Sequence, residues 1–269
     1  MTRAIRVAIN GAAGRMGVAL CALLARDTRF ALRHAVVAPG SACIGAPVFP
    51  AAADTIRFAA GWHDAPELDV VIDFSTPAAL DTALAHCLAS GTALVTGTTG
   101  SVVAMDERLV AAGTRIAVLR AANFSLGVAV LTRLLRDAAA ALPAWDVEIV
   151  EMHHGAKRDA PSGTALALGR AAARARGAGV ETPFVLSREG LTNGRTEGSI
   201  GFAAVRGGDI VGEHTALLIG QGERLELVHR AADRSIFARG ALHAAHWLSQ
   251  RASGVWTLDD MLAAPPAGT

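Results

Sequence analysis

At 269 residues the chain has material for one large or two ordinary domains, and 52% apolar residues give it ample core. Its 25 Lys and Arg balance 24 Asp and Glu, which excludes the one-sided field that gathers a polyanion, so nucleic acid is not an expected partner. Cys21, Cys43 and Cys87 form no CxxC pair, which argues against a thiolate metal site and suits a reducing, cytoplasmic setting.

The first residues, "MTRAIRVAIN", run directly into a strand pattern without the apolar core and cleavage site of a secretory signal. The uncharged stretches from His34 to Ala53 and Thr82 to Met105 are broken by Gly, Pro, Ser and Thr, so no membrane span is expected. From Ile5 to Val118, short β-branched runs alternate with helical spacing, the pattern of βαβ units and a parallel sheet. "IRVAIN", "LRHAVVA", "LDVVIDF", "TALVTGT" and "RIAVLRA" read as its strands, and "PAALDTALAHCLAS" is the clearest helix between them.

Near Asn123 the rhythm changes. A long helix, "LGVAVLTRLLRDAAAAL", precedes a strand, "DVEIVEMHH", and a second helix, "SGTALALGRAAARAR". "GSIGFAAVR", "GDIVGEHTALLIG" and "ERLELVHRA" then follow with turns and no helix, which predicts a mostly antiparallel sheet. The last helix, "IFARGALHAAHWLSQ", has the length and apolar face to return to the first domain. The expected fold is therefore α/β: a Rossmann-type parallel-sheet domain plus an α+β domain with a mostly antiparallel sheet.

"VAINGAAGRMG" places Gly11, Gly14 and Gly17 between a strand and a helix, where bare backbone and unpaired N–H groups suit a pyrophosphate. The alternative is an ordinary tight βα turn. A NAD site carries an acid about twenty residues on, at the second strand's end; here stand Val36, Val37 and Ala38. Arg15, Arg33 and His34 are the cations considered for a 2′-phosphate, so the choice between NADH and NADPH stays open, with a lean to NADP. Residues 1–124 and 235–269 are assigned to this dinucleotide-binding domain, and 125–234 to substrate binding and oligomerisation.

In "MHHGAKRDAPSGTAL", consecutive strand residues His153 and His154 point to opposite faces and cannot easily share a metal ion, so no metal is expected. Lys157 supplies a compact positive charge, Pro161 presets a turn, and the amides of Ser162, Gly163 and Thr164 open a helix. A histidine there can deliver a proton after hydride transfer. The grouping suits a small polycarboxylate; the competing reading makes one histidine structural, the lysine solvated and Ser162 a helix cap. His243 and His246, and the arginines of "GRAAARARG", read as packing and solvated faces, and Trp145, Trp247 and Trp256 as packing anchors. Asp73 reads equally as a cofactor-edge contact or a turn residue.

These segments, with "VVIDFSTP", "VTGTTG", "AANFSLGV" and "FARGALHAAHWL", resemble the 4-hydroxy-tetrahydrodipicolinate (dihydrodipicolinate) reductase family of the diaminopimelate and lysine pathway, from about Ile5 to Leu262. The resemblance implies an NADH- or NADPH-dependent oxidoreductase acting on a cyclic dicarboxylate, cytoplasmic and homotetrameric. It implies that Gly11, Ala12, Ala13, Gly14, Arg15, Met16 and Gly17 cradle the cofactor phosphates. It places Phe74, Gly97, Thr98 and Thr99 on the nicotinamide side, with Asn123 and Phe124 at the hinge near that ring, and counts Ala121 among the cofactor-binding residues. It makes His153 the proton donor, Lys157 its partner in substrate binding and protonation, and His154, Ser162, Gly163 and Thr164 carboxylate-binding residues. The chain departs from the family's pattern at Val37 and Ala38, where an acid followed by Arg is usual, at Gly155 and Ala156, and at Ala129. Two other readings are another imino-acid or amino-acid dehydrogenase of similar build, and a non-catalytic nucleotide sensor.

Overall fold

The computed structural model describes residues 3–50, 56–100, 102–177 and 182–263. The chain splits into two compact units, Met1–Ser125 with Ser235–Thr269, and Leu126–Arg234.

The first unit opens with β1 (Ile5–Asn10), α1 (Arg15–Leu24), β2 (Phe30–Val36), β3 (Phe58–Ala59) and β4 (Val70–Asp73). It continues with α2 (Pro77–Ser90), β5 (Ala93–Thr96), α3 (Val102–Gly113) and β6 (Ala117–Arg120). The second unit holds α4 (Leu126–Ala141), β7 (Asp146–His153), α5 (Gly163–Ala175), β8 (Phe184–Val185), β9 (Ile200–Arg206), β10 (Gly212–Ile219) and β11 (Arg224–Ala231). The chain then re-enters the first unit with α6 (Ser235–Leu248), β12 (Gly254–Trp256) and α7 (Leu258–Ala263).

Seven parallel strands in the order β12-β6-β5-β4-β1-β2-β3 form the first sheet. β1 pairs with β2 on one side and β4 on the other, so the winding reverses beside β1. The crevice at the strands' carboxyl ends beside that reversal is where open α/β sheets bind ligands. The central strands are buried on both faces, as helix-covered parallel strands must be. α2 shows why the sequence breaks where it does: Thr76 caps its start by accepting from the Ala79 N–H, Pro77 begins it, and Gly91 ends it at φ +72°. α6 packs against α1, β4, β5 and β6. Gly240 brings α6 against the Phe124 main chain, where a Cβ would strike the carbonyl oxygen.

The second sheet has the order β11-β10-β7-β9-β8. Its long β10 ladders to β11 and β7 are antiparallel, while β9 pairs in parallel with β7 and β8 with β9. The sequence reading sets β9 and β10 in turn-linked succession; in fact β7 lies between them. The cause is α5, a crossover that carries the chain from β7 back to a parallel neighbour. One face of this sheet carries Val147, Ile149, Ile200, Phe202, Ala216 and Leu218, packed under α4 and α5. Among the described residues no helix is long and apolar enough to cross a membrane.

Candidate active site

The apolar row of β7 does not end in apolar residues. Val147, Ile149, Glu151 and His153 alternate along one face, and the first three are fully buried. Strand register places His214 of β10 and Ala204 of β9 opposite Glu151, and Arg206 of β9 opposite His153. The face that holds the core under α4 and α5 thus continues into a titratable cluster.

Glu151 is its centre. Its Oε2 accepts from His153 Nδ1 at 2.5 Å and Arg206 Nη1 at 2.8 Å. Its Oε1 accepts from Arg206 Nη2 at 2.6 Å and the Ser162 N–H at 3.0 Å. Burial acts to raise this carboxyl, but the Arg206 guanidinium, His153 and the Ser162 N–H together hold it below the usual carboxylate range. With Nδ1 engaged, His153 has Nε2 left; it lies over Gly212, where a Cβ would come within 3.0 Å of it. His214 sits edge-on to His153 at 5.3 Å, and its Nε2 meets Ser162 Oγ at 3.2 Å. Burial first, then the neighbouring His153, pushes His214 down to about 4, which keeps it neutral at pH 7.

Beyond β7, the Lys157 N–H donates to the His154 carbonyl, closing a turn with Gly155 and Ala156 at its centre. Gly155 and Ala156 thus stand where a tight reversal occurs. The Lys157 ammonium meets both Asp159 oxygens at 2.7 and 2.8 Å, and holds that carboxyl below its usual range. The Ala160–Pro161 peptide is cis. Ser162 caps α5 by accepting from the Ala165 N–H at 3.1 Å. The Ser162 amide, expected to bind a ligand carboxylate, donates to Glu151 Oε1, which also accepts from Arg206. Gly163 and Thr164 form the first turn of α5. Sequence reasoning missed Glu151, Asp159, Arg206 and His214. The available signal for Glu151 was its spacing of two from His153, which in a strand means the same face.

In the first unit the glycine turn is shaped by close backbone approach. Gly11 has φ +82°, and a Cβ there would meet the Phe74 carbonyl oxygen at 2.5 Å; one on Gly17 would meet the Gly11 oxygen at 2.3 Å. The Gly11 and Ala12 N–H groups both donate to the Val36 carbonyl, and Gly14 donates to Gly11. Gly14 caps α1 without a side-chain hydrogen bond, and the first turn holds no acid. The amides of Arg15, Met16 and Gly17 therefore lack intrahelical partners. Beside the turn lies a cavity of about 690 Å³, lined by Gly11, Ala13, Val37, Ala38, Trp62 and Phe74 among others. A mostly apolar chamber beside the glycine turn, with Gly14 at the start of α1 in its wall, fits a dinucleotide.

The other expected cofactor residues divide by where their side chains go. Asp73 is wholly buried and accepts from Asn10 Nδ2 at 2.8 Å, Thr96 Oγ1 at 2.6 Å and Thr98 Oγ1 at 2.6 Å; the Ser75 hydroxyl also donates to it. It ties the ends of β1, β4 and β5 together, which favours the turn role. The Thr98 side chain is thus turned inward, while Thr99 is exposed. Gly97 leaves room for Phe74, whose ring a Cβ would strike at 2.2 Å, and Phe74 lies edge-on to Phe124 at 5.3 Å. The Ala121 N–H donates to Thr96, and Asn123 Oδ1 accepts from the Ser125 N–H. His34, weighed for a 2′-phosphate, is buried with Nε2 on the Gly61 carbonyl at 2.8 Å.

Comparison with known proteins identifies the family. Residues 5–124 match the family profile described as "Dihydrodipicolinate reductase, N-terminus", and residues 127–262 the one described as "Dihydrodipicolinate reductase, C-terminus". The 4-hydroxy-tetrahydrodipicolinate reductase of Thiobacillus denitrificans is 45% identical over 262 residues, covering 96% of this chain and 98% of that protein. The enzyme of the same name from Pseudomonas fluorescens strain SBW25 is 44% identical over 263 residues, covering 96% and 98%. A dipicolinate-bound dihydrodipicolinate reductase from Paenisporosarcina shares the fold, with a TM-score of 0.78 at 24% identity over 95% of this chain and 98% of that one. The chain belongs to the dihydrodipicolinate reductase family.

Proposed function

We propose that this protein is a cytoplasmic NAD(P)H-dependent reductase that converts 4-hydroxy-tetrahydrodipicolinate to tetrahydrodipicolinate in diaminopimelate and lysine biosynthesis. The observation that carries the reading is the end of β7: an imidazole with Nδ1 on a buried carboxylate, followed by Lys157 and the start of α5. NADH or NADPH, held by the turn from Gly11 to Gly17, supplies the hydride when bound.

Loss of the 4-hydroxyl as water leaves an imine conjugated with a ring double bond. The ring gains a hydride at the carbon end of that system, and the electron pair moves toward nitrogen. The proton that neutralises the resulting anion comes from His153 Nε2, the ring nitrogen not engaged by Glu151. One substrate, one NAD(P)H and one proton thus give one product, one NAD(P)⁺ and one water. Lys157 holds a ring carboxylate with its ammonium, which Asp159 keeps oriented until the ligand shares or replaces that contact. Gly163 and Thr164 at the start of α5 supply amides to the same anion, and His154 is assigned to the same carboxylate-binding set.

The same reading includes a homotetramer built through the second unit, supported by the exposed apolar residues Val205 on β9 and Leu225 and Val228 on β11. The test is turnover of freshly generated substrate with each cofactor. His153→Ala is expected to lose about 10²- to 10⁴-fold in kcat while binding NADH normally. Lys157→Ala is expected to lose turnover and raise the substrate KM. Wild-type kinetics in both variants would sink the reading.

A further inference from the structure

A carboxylate with no exposed surface is an unusual end to the core row of a strand, and its four partners show what it holds. Arg206 reaches both of its oxygens from β9, and the Ser162 N–H reaches Oε1 from the turn before α5. A structural ion pair would be complete with those three donors. The fourth, His153 Nδ1, shares Oε2 with Arg206. Because the Glu151 carboxyl is held below its usual range and so is charged, all four contacts must be donated to it, His153 Nδ1 included, which leaves no place for an amide N–H.

We propose that Glu151 is a positioning residue for proton transfer: it fixes the His153 ring and its tautomer, with Nδ1–H on the carboxylate, so that Nε2 alone is left to exchange a proton with the ligand. This rests on the reading of His153 as the proton donor. Arg206 and the Ser162 amide hold Glu151 in turn, so residues from β7, β9 and the start of α5 converge on one imidazole. The groups around that ring are Glu151 from its own strand, Arg206 from β9, His214 from β10, and the Lys157–Asp159 pair on the following loop. His214 does not compete for the carboxylate, because its Nε2 is on Ser162 Oγ and burial keeps it neutral. Gly212 completes the arrangement, since a side chain there would crowd His153 Nε2.

The test uses the full-length protein with Glu151→Gln and Glu151→Asp. Glu151→Gln keeps the shape but must set an N–H against one of four donors, and it relaxes by turning His153 to the Nε2–H tautomer. Its kcat is expected to fall about 10- to 1000-fold, with substrate KM and NADH affinity changed less than about threefold. The alkaline limb of its kcat–pH profile, where the proton donor is lost, should move, and ring-nitrogen NMR should show Nε2 protonated in the neutral ring. Glu151→Asp keeps the charge and should recover part of kcat. A folded Glu151→Gln with wild-type kcat and pH profile overturns the proposal while leaving His153→Ala inactive. An active His153→Ala instead removes the reading beneath it. Should Glu151→Gln fail to fold, the wild-type ring decides: a neutral His153 with Nδ1 unprotonated overturns the proposal, and Nδ1–H sustains it.

Discussion

The two candidate sites are built on opposite physical plans. The cofactor site of the first unit is made from backbone and small or apolar side chains: Gly11, Ala13 and Gly14 beside Val37, Ala38 and Phe74, with no acid or arginine lining the cavity among the described residues. The site of the second unit is a dense ionic and hydrogen-bonded set, with Glu151, Arg206, His153, His214, Lys157 and Asp159 on successive strands and the loop after β7. Steric freedom limits the first, and charge and proton occupancy limit the second. The sites should therefore fail under different perturbations.

The largest expected effect comes from adding a single methyl group to the first site. Gly11→Ala forces a Cβ onto a residue at φ +82° and against the Phe74 carbonyl oxygen at 2.5 Å, where the neighbour is main chain and cannot swing away. The left-handed conformation costs about 1–2 kcal/mol for a non-glycine residue, and overpacking costs about 1–3 more. Calorimetric titration should show NADH affinity falling about 100-fold or more, while the affinity for dipicolinate in the absence of cofactor changes far less. Equal losses for both ligands would erase the contrast between the sites.

Acid should break the second site. His214 is pushed down to about 4 in the folded protein, against about 6.5 when unfolded. Between those values the unfolded chain binds more protons, so stability falls as pH drops from about 6.5 toward 4, by up to about 3 kcal/mol from this residue. Burial lowers His86, His229 and His246 in the same sense. Glu151 and Asp159, also lowered, contribute only below the ordinary carboxylate range. Denaturant unfolding at pH 7, 5.5 and 4.5 should show this loss, and His214→Gln, which keeps a hydrogen-bonding group but does not titrate, should flatten it. An unchanged slope in that variant would mean that His214 is not the group being protonated.

The difference in plan also explains what could be read in advance. A glycine turn is local: spacing between a strand and a helix announces it, and Gly11, Gly14 and Gly17 stand where the backbone needs them. The β7 site is only half local. His153, Lys157 and Ser162 lie within ten residues and can be grouped on sight, but Arg206 and His214 join them through register, which a single strand's pattern does not contain. Glu151 was legible in principle, since a charge in the row Val147, Ile149, Glu151, His153 breaks the apolar alternation. Its engagement of the Ser162 amide is not legible in the same way, because it depends on the turn before α5 folding back onto β7. The parallel pairing of β7 with β9 escaped for the same reason, because turn residues between strands suggest hairpins and say nothing of a third strand inserted between them. β3, β8 and β12 are two or three residues long and carry no period to detect.

The neutrality of the cofactor cavity can itself be tested by adding a charge. At the end of β2, Val37 is buried, whereas Ala38 is exposed and lines the cavity, so Ala38 is the position from which a carboxylate can face a bound nucleotide. Ala38→Asp would offer an acceptor to the ribose 2′-hydroxyl of NADH and repel the 2′-phosphate of NADPH. A hydrogen bond to a charged group contributes about 1.5–3 kcal/mol, so the ratio of the two dissociation constants should move about 10- to 100-fold toward NADH. Because the substituted residue is exposed, stability and the affinity for dipicolinate should stay near wild type. Measured by direct binding, an unmoved ratio would mean that the 2′ position lies away from Ala38 and that selectivity is set elsewhere, with Arg15 and Arg33 the cations left to consider. A shift in that ratio with kcat on the preferred cofactor intact would show that the cofactor site accepts a new charge because its own plan never depended on one.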